Sequence, residues 1–198
     1  MKGDVPGRPR SFEPDQILDR AMTLFWKRGY GATGLAELEQ VTGLGRQSLY
    51  GAFGDKRALF ARAVERYFDV VLKPHIIDVL DAPGSGRANV ERVIAQWETT
   101  AAAPDFSGCL VGNSSTESTL HDPEISELLR RKLELMEGAF HRALSRAKRA
   151  GELGPGADPR ALARTLLALA QGMAVIGRVN RNGGFVRSIA AEARALLG

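Results

Sequence analysis

The chain lacks most of what an enzyme or an exported protein is built on. It carries a single cysteine, so no disulfide can close within it, as expected of a reducing compartment. Its histidines, His75, His121 and His141, stand alone, with no carboxylate or cysteine at metal-ligand spacing. No glycine-rich cradle joins a strand to a helix, and Gly43-Leu44-Gly45 is a turn, not a dinucleotide motif. No apolar run approaches the roughly 18 residues that a membrane span needs. The opening MKGDVPGRPR has no apolar stretch of a secretory signal, which leaves the glycosylation-like Asn113-Ser114-Ser115 without meaning. Internal repeats, low-complexity tracts and alternating strand patterns are missing too. The expectation is a cytoplasmic, all-α protein of about nine helices, with no catalytic residue, metal or cofactor.

Net charge is also a weak signal. The formal balance is only +4 and does not by itself announce a nucleic-acid partner. Residues 130–149 hold seven basic and two acidic side chains, whereas residues 1–57 hold nine and seven. The distal surplus reads as a solvated helix face. With 198 residues, 44% hydrophobic and 25% charged, the chain can bury a sizeable core as one domain or two small ones.

What is present centres on LAELEQVTGLGRQSLYGAFGDK, residues 35–56. Leu35, Leu38 and Val41 recur at helical spacing and turn one face of a short helix inward. Gly43-Leu44-Gly45 breaks it, since glycine tolerates the positive φ of a sharp turn. A second helix over 46–53 packs through Leu49 and Phe53 and leaves Arg46, Gln47 and Ser48 free at its start. Two short helices crossing at a glycine turn form a helix-turn-helix, whose second helix enters the major groove amino end first. The same pattern also fits an ordinary helical hairpin in a core.

The flanks add to this reading. Residues 17–59 resemble the N-terminal DNA-binding domain of the TetR/AcrR family of bacterial transcription regulators through Ile17-Leu18, Ala21, Leu24-Phe25, Gly29, Thr33, Leu38, Gly43, Leu49-Tyr50, Phe53, Lys56 and Leu59. Two positions depart from the pattern. Gly45 stands where the family commonly has a Ser N-cap, and Ala52 where it has His. Glycine in place of a Ser cap costs only a few tenths of a kcal/mol; the missing His removes one phosphate contact.

In order, residues 1–10 read as a flexible basic arm, either reaching into a minor groove through Gly7-Arg8-Pro9-Arg10 or serving as a solubilising tail. A helix is expected over 11–28, with Pro14 in its first turn and Gly29 as its stop. Thr33 is expected to cap the next. Asp55-Lys56 opens a long helix towards Leu80, kinked or ended at Pro74. Val90, Val93, Ile94 and Trp97 mark a helix that ends before Pro104. Another runs from the Gly108-Cys109-Leu110 segment to Leu120, and a long amphipathic one follows Asp122-Pro123. The last two begin at Asp158-Pro159 and after Asn182-Gly183-Gly184.

The resemblance implies a division into a DNA-binding domain at 11–57, with its reading unit at 34–53, and an effector-binding and dimerisation domain at 58–198. It also implies a homodimer bound to a palindromic double-stranded operator, a repressor released by a small molecule. Activation, or regulation without a ligand, is the alternative; a helical protein-interaction module is the remote one. By position, Arg46, Gln47 and Ser48 are expected at base edges, where Arg pairs most often with guanine and Gln with adenine. Tyr50, Lys56 and Thr33 are expected to hold phosphates. The candidate effector site is lined by Trp97, Phe106, Cys109, Leu110, Met136, Phe140 and Met173. The candidate dimer interface comprises Leu162, Leu166, Leu169, Met173 and Ile176 with Phe185, Ile189, Ala193 and Leu196, although burial within one subunit would also explain these stripes. Cys109 is either a small apolar filler or, by similarity to a subgroup with a Gly-Cys-Leu turn, a sensor of electrophiles or oxidants. A sensor at a helix N-terminus would have a depressed thiol pKa.

Overall fold

The computed structural model describes residues 13–101, 103–117, 122–180 and 183–198. The basic arm, the helix start at Ser11, the continuation to Leu120, His121 and Asn182 lie outside them. Ten α-helices and one π-helical segment make up the described residues, with no strand; α4, the π segment and α5 run on as one rod, leaving nine separate helices.

Pro14 sits at the first position of α1 (Pro14–Arg28), where its missing N–H costs little. Helix α2 (Leu35–Thr42) is not capped by Thr33. That residue is 1% exposed, and its hydroxyl donates to Gly29 O at 2.6 Å, while Glu37 accepts the Gly34 N–H at 3.0 Å. The turn after α1 thus points the Thr33 side chain inward. Gly43 adopts φ 72° and closes α2, its N–H donating to Glu39 O. Helix α3 (Arg46–Phe53) then packs on α2 and α4 and buries Leu49 and Phe53 in the core they share with α1.

Asp55 accepts the Ala58 N–H at 2.8 Å and opens the rod: α4 (Lys56–Tyr67), the π segment (Phe68–Ile77) and α5 (Asp78–Asp81). Pro74 lies inside the π segment and neither ends the rod nor stands in an α-helical turn. In α geometry its ring would strike the carbonyl four residues back; the wider π register accommodates it.

Beyond the rod lie α6 (Gly86–Ala101), the short α7 (Leu110–Ser114), α8 (Pro123–Arg149), α9 (Pro159–Ile176) and α10 (Gly184–Ala195). Gly86 lies so close to Ala143 O of α8 that any Cβ would block the approach. Helix α7 stops at Ser115, whose N–H is shared between Val111 O and Gly112 O. Asp122 and Asp158 cap α8 and α9.

Helix α8 bridges two cores. Its first half packs with α1–α4, the π segment and residues 109–111; its second half packs with Leu80, α6, α9 and α10. The basic surplus on α8 is not simply a solvated face. Lys132 is buried, pairs with Glu65 and lies 4.3 Å from the Phe68 ring centroid. Arg142 grips Asp81 at 2.9 and 2.6 Å, and Arg146 donates to Leu80 O at 2.6 Å near the end of the rod. Those charges fasten α8 to the rod.

Candidate nucleic-acid interface and cavity

Helix α3 owes its pose to its apolar side. Leu49 and Phe53 are buried, and this fixes the opposite face, with Arg46, Gln47 and Ser48 all exposed at the amino end. Gly45 supplies no side-chain cap. Instead Glu39, reaching across from α2, accepts the Arg46 N–H at 2.6 Å. A carboxylate there satisfies an orphan donor and suits the positive helix end. The cap comes from across the turn, which a search for a cap at Gly45 misses.

Around this triplet, Tyr50 is half-buried, with the Arg46 guanidinium 5.8 Å from its ring centroid. Lys56 lies over the Tyr30 ring at 4.4 Å, and partial burial lowers its pKa against the attraction of Glu117. Thr33, turned inward, offers no hydroxyl to a phosphate.

Two concavities are candidates for a small molecule. An open groove of about 700 Å³ runs between α1, α4 and the start of α8, but two of its arginines are already paired, Arg66 with Asp15 and with Asp19 beside the groove, and Arg57 with Glu124. A more enclosed cavity of about 370 Å³ lies among the π segment, α6, α8 and α9. Of the residues proposed from the sequence for an effector site, Trp97, Phe106, Cys109, Met136, Phe140 and Met173 line it. Leu110 does not: it is fully buried in the core behind the wall. Sequence reasoning missed Trp26, Tyr67, Gln96 and Gln171, also on the wall. Trp26 comes from α1, some 80 residues away in the chain, and no local pattern connects it with the rest (its hydrogen bond to Gly108 spans 82 residues). Among the described residues no Asp, Glu, Lys or Arg lines the cavity, and His75 does.

Cys109 is the N-cap of α7, yet its thiol is pushed up, not down. Burial dominates, against hydrogen bonds from the Gly112 and Val111 backbone, Tyr67 and Gln171. The depressed thiol that the sensor reading required is not found: a five-residue helix cannot offset the loss of water.

The expected dimer face divides. Leu166, Met173 and Ala193 are buried within the subunit and cannot meet a partner directly. Ile176 and Leu196 are exposed, Leu162, Leu169, Phe185 and Ile189 half-buried. Sequence reasoning missed Val175 and Val179, the latter 84% exposed. Among the described residues no cluster could hold a metal, and no helix is long and apolar enough to cross a membrane.

Two family models match: "Bacterial regulatory proteins, tetR family" over residues 17–63, and "Tetracyclin repressor-like, C-terminal domain" over 86–192. The chain is 36% identical to the uncharacterised HTH-type transcriptional regulator YezE of Bacillus subtilis, over 81% of this chain and 83% of that protein. It is 32% identical to the HTH-type transcriptional repressor ComR of Escherichia coli, over 87% and 82%. Among solved structures, a cysteine mutant of the regulator CifR, complexed with 26-bp double-strand operator DNA, superposes with a TM-score of 0.86 at 27% identity, covering 97% of this chain and 100% of that one.

Proposed function

The chain belongs to the tetR family of bacterial regulatory proteins and is a DNA-binding transcriptional regulator, and from that premise we propose a dimeric repressor that leaves a palindromic operator when a small molecule fills its cavity. The observation that carries this reading is the exposed Arg46-Gln47-Ser48 triplet on a helix seated by buried Leu49 and Phe53. These three side chains read base edges; Tyr50 and Lys56 hold the backbone. The division between a reading head, 11–57, and the remainder, 58–198, is functional, since the first core runs across it.

The outward residues of α9 and α10, Ile176, Val179 and Leu196 among them, meet their copies in a second subunit. The effector is largely apolar, because apart from His75 the described wall offers no charged side chain to replace the water that a charged group would lose. The raised Cys109 thiol supports reversible occupancy over reaction with an electrophile or oxidant. An occupant that prefers one head separation disfavours the DNA-competent dimer by its differential affinity and no more, with the rod carrying the change.

Selection from a random duplex pool with the full chain tests the reading. A palindrome should be enriched, its half-sites about 34–36 Å apart or at a multiple of that spacing. Binding should fall steeply with salt. A pool that stays random through repeated rounds would refute the proposal.

A further inference from the structure

Polarity is divided between the two sides of the cavity. On the buried side the polar side chains are committed to one another. The Tyr67 hydroxyl and the Cys109 thiol share a hydrogen bond, the Leu110 N–H donates to Tyr67, and the Gln171 side chain meets the thiol. Gln171 Oε1 keeps no partner among the described residues, but it is sealed off against Gly112. The Trp26 indole N–H donates to Gly108 O at 3.0 Å. The solvent side is the reverse. His75, Thr99 and Thr100 are exposed and Gln96 is half-buried, and all four line the cavity. Thr99 donates to Ala95 O at 3.2 Å, whereas the side chains of Gln96 and Thr100, one turn apart on α6, have no partner among the described residues.

The π segment sets the chemistry of His75. Its Nδ1 lies 2.9 Å from Val71 O, and a carbonyl can only accept, so the hydrogen sits on Nδ1. Nε2 is then the nitrogen left for an occupant: an acceptor as it stands, and a charged donor once it takes up a proton. Lys73 and Asp78, its charged neighbours along the rod, are paired with each other at 3.0 Å. His75 is therefore the described wall's one source of positive charge. An ammonium head would find no carboxylate there, whereas a carboxylate would find His75 with two further donors, Gln96 and Thr100, beside it.

We propose that the cavity takes a short amphiphile, an apolar body ended by a single carboxylate, with the body among Trp97, Met136 and Phe140 and the head at the mouth on His75 Nε2; this rests on the reading of the cavity as the effector site. A volume of about 370 Å³ is near the small end of ligand cavities, which suits a short chain and not a long one. A head held at the mouth keeps part of its water, which lowers the cost of forming the ion pair there.

Both of the chain's tryptophans, Trp26 and Trp97, stand on the wall, so intrinsic fluorescence reads occupancy without DNA. The probes are octanoate, 1-octanol and octylamine, equal in chain length and different only at the head, each titrated into the full chain. Octanoate should bind about tenfold or more tighter than octanol, as a charge-assisted hydrogen bond exceeds a neutral one, and octylamine more weakly than either. His75→Gln, which stays polar but carries no charge, should leave octanol unchanged and bring octanoate to within about twofold of it. His75→Lys should restore the preference. The exposure of His75 lets both variants fold. Octanol or octylamine binding as tightly as octanoate, an undiminished preference in His75→Gln, or no binding of any probe overturns the proposal. Octanoate that binds through His75 yet leaves the selected duplex in place supports the site and sinks release by a ligand, so the two failures stay apart.

Discussion

At the scale of single residues, exposure decides what a substitution does. Arg46 is exposed and its side chain meets only the Tyr50 ring at 5.8 Å, so Arg46→Ala should leave stability within about 0.5 kcal/mol. It should cost about 1–3 kcal/mol of operator affinity and relax preference at one base pair. Thermal melts and a second round of duplex selection check both parts; a uniform loss on all sequences would mean that Arg46 touches only the backbone. Cys109 gives a pH dependence. Burial raises its thiol above the ordinary 9.0, so the folded chain holds this proton more tightly than the unfolded chain. The stability it contributes is whole below the ordinary value and drains away as pH climbs through the raised one. Urea melts across the alkaline range should show a shallower early decline for Cys109→Ala, with Tyr67, also raised by burial, sustaining the decline at higher pH. Equal slopes in both proteins would contradict this. The exposure of Arg46, Gln47 and Ser48 was legible because it depends on four or five neighbours in the chain. Thr33 and Cys109 were not, because their surroundings come from distant segments.

At the scale of elements, punctuation was the readable part. Gly29, Gly43, Pro14, Asp55, Asp122 and Asp158 mark helix ends in the sequence and do so in the structure. The cap of α3 was hidden, because Glu39 belongs to the preceding helix. Glu39→Ala should therefore destabilise the head by about 0.5–2 kcal/mol, and Gly45→Ser should recover part of that loss by supplying a local cap. Nothing lies within 4 Å of a Cβ at Gly45, so the added side chain has room. A double-mutant cycle by thermal melting measures the coupling; strict additivity would show that the added cap does not replace the Glu39 bond, and an unchanged melt of Glu39→Ala that the bond carries no weight. The π segment was foreseen only as a kink, since proline signals trouble for an α turn without saying how the chain resolves it.

At the scale of the whole molecule, the last two helices show where periodicity runs out. A helix apolar on two faces has one for its own core and one for something else, and spacing cannot say which is which. Leu166 proves internal and Ile176 external. Ile176→Asp should weaken self-association at least about tenfold, or about 1.4 kcal/mol, and weaken operator binding with it. Leu166→Asp should unfold the subunit by burying an unpaired charge. Sedimentation of the two variants separates these outcomes, and a stable dimer of Ile176→Asp would move the interface elsewhere. The central claim, that the amino end of α3 reads duplex sequence, is tested most directly by the affinity of the full chain for its selected duplex against a scrambled duplex of equal length at about 0.15 M salt. The expected result is binding tighter by about a thousandfold or more; equal affinity for the two would contradict it.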